Sequence, residues 1–246
     1  MINKELWSET KFIQSSEGYS LSMDPKQVAI GSRFIASIQV SVYQELIEKH
    51  ASGVLLDLGC GDVPLYQMYK NLVTDNICID WADSLHQKMY LDHAVNLNEG
   101  IPLSDSRFDT VLMTDVLEHI SNPQLVMREI ARVLKPKGKL ILTVPFFYWL
   151  HETPYDYFRY TEFSLRMFCE ENNLNILLLD AYGGALEVIL DIMAKQLVGS
   201  SILSSLHFRL SKALIKSHMG RRRSDKTSHK FPLGYCLVAE KIASIA

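Results

Sequence analysis

Apolar positions along the chain fall into two rhythms. From Lys26 to Lys49, the residues Val28, Ile30, Phe34, Ile35, Ile38, Val42, Leu46 and Ile47 recur at helical spacing, which predicts a helix leading into the core. Short, nearly continuous apolar runs follow and read as buried strands: Val54 to Leu56, Ile77 to Ile79, a stretch around His93 to Leu97, Phe108 to Asp115, Lys139 to Pro145, Leu174 to Leu179 and Phe231 to Glu240. Helical patterns sit between them over 64–72, 122–134 and 162–171. Asn122-Pro123 opens the second of these, and Lys135-Pro136-Lys137-Gly138 is its stop signal. Alternating strands and helices predict an α/β protein. Two stretches stand outside the alternation. Residues 1–25 are polar and rich in turn formers, so they read as a loosely structured arm. Residues 183–230 carry Leu186, Ile189, Leu190, Met193 and Leu197, then Leu203, Leu206, Leu210 and Leu214, again at helical spacing, and read as a helical insertion before the last strand.

The candidate chemistry begins where the first buried run ends. Val-Leu-Leu-Asp-Leu-Gly-Cys-Gly, from Val54 to Gly61, is a strand feeding a tight turn, a form that cradles nucleotide cofactors. A dinucleotide fingerprint needs a third glycine where this chain has Pro64, so NAD is disfavoured. No Lys-Ser or Lys-Thr pair follows the glycines, so a P-loop is absent. Asp57 inside the strand end suits a cationic cofactor, and Asp80, nineteen residues after Gly61, is placed to take two ribose hydroxyls.

With Asp57-x-Gly59-x-Gly61, the acid Asp80 ending the next strand, and Asp115-Val116-Leu117-Glu118-His119, the chain resembles the class I S-adenosylmethionine-dependent methyltransferases. The resemblance implies a Rossmann-like sheet of seven strands, mostly parallel with an antiparallel last strand, and helices on both faces. It divides the chain into an arm and capping helix (1–50), a core (51–182), the insertion (183–230) and a final core strand (231–246). S-adenosylmethionine is the implied cofactor, held by Asp57, Gly59, Cys60, Gly61, Asp80, Trp81, Asn96, Leu97 and Asp115. Trp81 is a candidate to stack on adenine, with ordinary packing the alternative. The family carries an acid where this chain has Asn96, whose amide oxygen can still accept from the adenine amino group. The capping helix would close over the cofactor, with Arg33 within reach of its carboxylate or else a surface arginine. Asp115, Glu118 and His119 lie near cofactor or substrate because ligands bind at the carboxyl edge of open α/β sheets.

The stretch leaving the strand at Pro145 concentrates His151, Asp156 and Arg159 among aromatics and must pass over that edge. His151-Glu152-Thr153-Pro154-Tyr155-Asp156-Tyr157-Phe158-Arg159-Tyr160-Thr161 resembles a subgroup of these methyltransferases held to act on sugars or surface polysaccharide intermediates. A hydroxyl acceptor must lose its proton as it attacks the methyl group, which makes His151, oriented by Asp156, the first candidate base and His119 the second. Glu118, Tyr155 and Arg159 are candidates for substrate contact. A metal-assisted version through His119, His151 and acids stays open, but no ligand spacing in the sequence marks one. The alternative for the whole loop is that its polar groups merely tie it down.

Composition narrows the partners. The 246 residues are 48% apolar, enough for one large core, and a net charge of −3 supplies no global attraction to nucleic acid. The basic residues are local: Ser205 to Lys230 holds eight Lys or Arg against the single acid Asp225. The insertion is therefore open to three uses, as a lid, as a homodimer contact, or as a peripheral membrane surface through 186–223. Docking of nucleic acid or protein on it, or a non-catalytic subunit that keeps the cofactor pocket, are the competing functions. Cys60, Cys78, Cys169 and Cys236 are dispersed, and no secretory signal or spanning stretch is evident, so a reducing cytoplasm is expected.

Overall fold

The computed structural model describes residues 1–16, 18–82 and 88–243; the last three positions assigned to the final strand lie outside the described residues. A hairpin of β1 (Phe12–Ser15) and β2 (Gly18–Leu21) precedes α1 (Arg33–His50). The core follows as β3 (Gly53–Leu58), α2 (Tyr66–Tyr69), β4 (Val73–Asp80), β5 (His93–Ala94), β6 (Phe108–Thr114), α3 (Pro123–Val133), β7 (Leu134–Pro145), α4 (Glu162–Glu171) and β8 (Leu174–Tyr182). The insertion is α5 (Ala185–Gln196), α6 (Ser201–Lys216) and α7 (His218–Thr227), and β9 (Gly234–Lys241) closes the sheet. Its order is β5-β4-β3-β6-β7-β9-β8, with β9 antiparallel to both of its neighbours and the other pairings parallel.

Both faces of the central strands are covered, which is why those strands are apolar at successive positions. Leu56, Leu58, Val111, Met113, Leu140 and Leu142 meet Val126 and Ile130 of α3 and Leu165 and Phe168 of α4. The alternate residues Leu55, Leu112, Ile141 and Val238 meet Val40, Leu46 and Ile47 of α1. Local chemistry sets the helix starts: Asn122 Oδ1 accepts from Leu125 N with Pro123 as the first helical residue, and Thr161 Oγ1 accepts from Ser164 N.

Four expectations change. The arm is not loose: its hairpin packs on α1, Phe12 is buried, and Trp7 and Tyr19 donate to the carbonyls of Val63 and Gln67. Four-residue strands carry too little periodicity to show against turn formers. The capping helix starts at Arg33 instead of Lys26. The crossover helix expected over 64–72 shrinks to one turn, because Val63 adopts a left-handed φ of 51° in the loop that rounds the site. The stop at 135–138 is a bulge: β7 pairs Leu134 with Phe108, then Lys139 with Thr110.

The insertion is inverted relative to ordinary amphipathic helices. Glu187, Asp191 and Lys195 of α5, with Ser204, His207 and Ser211 of α6, face inward, while Ile189, Ile192, Met193, Leu203, Leu206 and Leu210 are exposed. The inward polar groups find partners. Glu187 accepts from Gly184 N, Lys195 is bonded to Asp191, and His207 Nε2 lies 3.2 Å from Ser211 Oγ. Lys195 Nζ also sits 4.4 Å over the Tyr148 ring, so α5 is clamped to the loop after β7.

Candidate active site

The turn after β3 is shaped by glycine geometry. Gly59 and Gly61 take φ values of 69° and 53°, and a Cβ on Gly59 would meet the Val116 side chain at 2.4 Å. Asp80, ending β4, ties this turn to the next one: its Oδ2 accepts from Gly61 N at 3.1 Å and its Oδ1 from Trp81 N at 2.7 Å. Asp57 is buried behind the turn with Tyr69 Oη donating to it at 3.0 Å, and burial pushes its carboxyl up to about 7. Two cavities of about 410 and 420 Å³ meet here, sharing Gly59, Asp115 and Glu152 as wall. Asp57, Cys60 and Gly61 line the first, and Asp80, Trp81, Asn96 and Leu97 the second. The Trp81 ring stands edge-on to Tyr155 at 4.9 Å and walls the second cavity. Asn96 differs from the expectation of a free acceptor. Its Oδ1 takes Asn98 N and Nδ2, and its Nδ2 donates to Glu99, so the amide braces the turn at Leu97–Glu99.

Asp115 is an anchor. Its carboxylate accepts from Gln39 Nε2 at 2.7 Å, Thr143 Oγ1 at 3.1 Å and Tyr43 Oη, so it pins α1 to the strand ends. Gln39 and Tyr43 lie on the buried face of α1 and both line the first cavity. Sequence reading passed over them because they are a polar pair in an otherwise ordinary helical pattern. Arg33 is not at the site: it donates to the Met23 carbonyl and lines neither cavity. The cation that does line the first cavity is Lys11, carried there by the hairpin that looked structureless.

Glu118 and His119 occupy the turn after β6, and the loop after β7 brings His151 down onto them. His119 Nε2 and His151 Nε2 are 3.1 Å apart, and Glu118 Oε1 is 3.7 Å from each. The Glu118 side chain is fully buried, and neither of its oxygens has a hydrogen-bond partner. Burial raises its pKa. For His151 burial works against the charge, but Glu118, then Asp156 and Glu152, outweigh it and raise the pKa above the ordinary histidine value. Asp156 accepts from His151 N at 3.0 Å and stands 3.2 Å from His151 Nδ1, an ion-pair distance without hydrogen-bond alignment. Burial opposes its charge, yet the Arg159 guanidinium and the His151 backbone hold it down at about 2. Arg159 is a tie: it grips Asp156 with both terminal nitrogens and donates to the Trp149 carbonyl, lining neither cavity. Tyr155 contributes its carbonyl to His119 Nδ1 at 2.9 Å and its ring to the second cavity.

These residues fit S-adenosylmethionine: a carboxylate at the end of β4, a glycine turn no side chain could follow, a buried acid, and an aromatic wall beside Leu97. Residues 56–142 match the family model described as a methyltransferase domain. A ubiquinone biosynthesis O-methyltransferase of Xanthomonas oryzae pv. oryzae is 31% identical over 114 residues, which are 42% of this chain and 46% of that protein. The chain therefore spans about half the length of the curated relatives it matches. Among solved structures, a SAM-dependent methyltransferase from Archaeoglobus fulgidus superposes with a TM-score of 0.56 at 14% identity, over 85% of this chain and 97% of that one. The phosphoethanolamine N-methyltransferase 2 of Haemonchus contortus, in complex with S-adenosyl-L-methionine, gives 0.55 at 14% identity over 82% of this chain and 53% of its own. Residues 56–142 are thus similar to a methyltransferase domain, and the sheet around them has the fold of the S-adenosylmethionine-dependent methyltransferase from Archaeoglobus fulgidus.

Proposed function

We propose that the protein methylates a hydroxyl group of a small-molecule, sugar or lipid-linked saccharide acceptor, with His151 taking the hydroxyl proton. The observation that carries this reading is the cluster of His151, His119 and Glu118 against the wall that both cavities share. The cofactor supplies a methyl group already activated on a sulfonium. The chain has to align the acceptor oxygen and receive its proton, and His151, which lines the first cavity, is the group assigned that task. Oxygen as the acceptor atom is favoured by the O-methyltransferase relative and by a base an amine would need less. The exposed rings of Trp149, Tyr155 and Tyr157 around the cavity mouths suit the apolar faces of sugars. The test is transfer of a labelled methyl group to fractionated cell extract. His151→Ala is expected to keep cofactor affinity and lose about 100-fold to 10,000-fold in rate. Normal turnover by that variant would overturn the role of His151.

A second part of the reading concerns location. The outer faces of α5 and α6 expose Ile192 at 55%, Ile202 at 78% and Leu210 at 61%, beside exposed Arg209, Arg221, Arg222 and Arg223. Among the described residues no helix is long and apolar enough to cross a membrane. An apolar face rimmed by cations matches an anionic lipid surface, where each Lys or Arg contributes about 1 kcal/mol. Sedimentation with anionic vesicles, weakening as salt rises, is the expected result. Equal failure with anionic and neutral vesicles at low salt would reject it, and a dimer in ultracentrifugation would assign the face to a second copy of the chain.

A further inference from the structure

His119 Nε2, His151 Nε2 and Glu118 Oε1 form a triangle with sides of 3.1, 3.7 and 3.7 Å. What these atoms carry follows from the far side of each ring. His119 Nδ1 faces the Tyr155 carbonyl, which only accepts, so a proton belongs on Nδ1 and Nε2 is the nitrogen left to act as a ligand. His151 Nδ1 stands 3.2 Å from the Asp156 carboxylate, so both rings turn Nε2 toward Glu118. Two imidazole nitrogens 3.1 Å apart, beside a buried carboxylate, form a donor set that one cation among them would serve. A single proton would bridge the histidines and still leave both Glu118 oxygens without a donor. A metal ion satisfies all three at once.

The spacing agrees. Ligand atoms about 2.0 to 2.2 Å from a tetrahedral zinc ion lie about 3.3 to 3.6 Å from one another, which falls between the observed sides. A carbonyl behind one imidazole and a carboxylate behind the other are the supports metal-bound histidines commonly have. We propose that Glu118, His119 and His151 bind one divalent metal ion of the zinc type, with its fourth side open to the cavities. This donor set, two imidazoles and one carboxylate, is the one that holds such ions with a position left for water or substrate.

Metal binding stands apart from the methyl-transfer reading; the use made of the ion rests on it. With the ion bound, the acceptor hydroxyl takes the open side and His151 is a ligand, so the base role given to His151 above is that of the metal-free protein. The hydroxyl proton then passes to Glu152, half exposed, with Oε2 3.9 Å from His119 Nε2. The C–S bond of the cofactor breaks as the O–CH3 bond forms, and S-adenosylhomocysteine leaves.

The test uses the full chain, stripped with a chelator and titrated with Co2+ alone. We expect one equivalent bound, with the visible bands of four-coordinate cobalt, displaced by Zn2+. His119→Gln and Glu118→Gln should each weaken binding about tenfold or more, and His218→Gln, on exposed surface at the start of α7, should not. X-ray absorption on the zinc-loaded wild type guards against misfolded variants and should report two imidazoles and one carboxylate. No stoichiometric binding, no imidazole in the absorption spectrum, or unchanged affinity in both variants would overturn the proposal. One bound equivalent without any methyl transfer would keep the site and reject the methyl-transfer reading. Full-rate transfer by protein that binds no metal would do the reverse.

Discussion

Asp115 and Glu118 leave the same strand end three residues apart, and their surroundings treat them in opposite ways. On the α1 side, Asp115 has three donors from two elements and works as a joint. Under the loop after β7, Glu118 is more deeply buried and has none. Burial of an unpaired carboxylate costs stability that folding alone has no reason to incur. The contrast separates a polar group that joins two elements from one that joins none, although both belong to one five-residue motif.

Replacing Asp115 should give the largest effect. Asp115→Ala strands the buried Tyr43 hydroxyl and Gln39 amide, and a loss of about 3 to 5 kcal/mol in denaturant unfolding is expected. A loss below 1 kcal/mol would mean that α1 docks without this joint. Asp57 sharpens the comparison through pH. Its pKa is raised to about 7 in the fold and sits near 4 in the free chain, so the unfolded chain releases its proton first. Stability should fall as pH rises from about 4 to about 7, by about 2 to 4 kcal/mol from this group alone. Asp57→Asn should flatten that part of the profile, and an unchanged profile would place the proton elsewhere.

Asp80→Ala should weaken S-adenosylmethionine binding by about 1.5 to 3 kcal/mol, read as a smaller ligand-induced rise in melting temperature. Its effect on the unliganded protein should be slighter, since among the described residues the carboxylate accepts from two backbone N–H groups, those of Gly61 and Trp81. The smallest effect should come from Glu118→Gln. The amide keeps the shape and removes an unpaired charge, so stability in metal-free protein should be unchanged or higher by about 1 kcal/mol. A loss as large as that of Asp115→Ala would erase the distinction between the two acids.

The order of strands and helices was legible in the chain, because a strand covered on both faces must be apolar at successive positions and a helix at every third or fourth. Those constraints are local, so Val54 to Leu56, Phe108 to Thr114 and Pro123 to Val133 announce themselves. So do Gly59, Gly61 and Asp80, since their work depends on backbone conformation and on a strand end that pattern can place. The loop chemistry was legible only as a list of reactive residues: His119 and His151 are thirty-two positions apart, and no spacing rule says their Nε2 atoms meet. Tertiary structure also moved residues between roles. It turned Arg159 and Asn96 into braces, brought Lys11 from a hairpin too short to show, and set the polar side of α5 inward, against Tyr148. In each case the deciding partner is distant in sequence or is a backbone carbonyl, and a hydrogen bond of that kind leaves no periodicity to read.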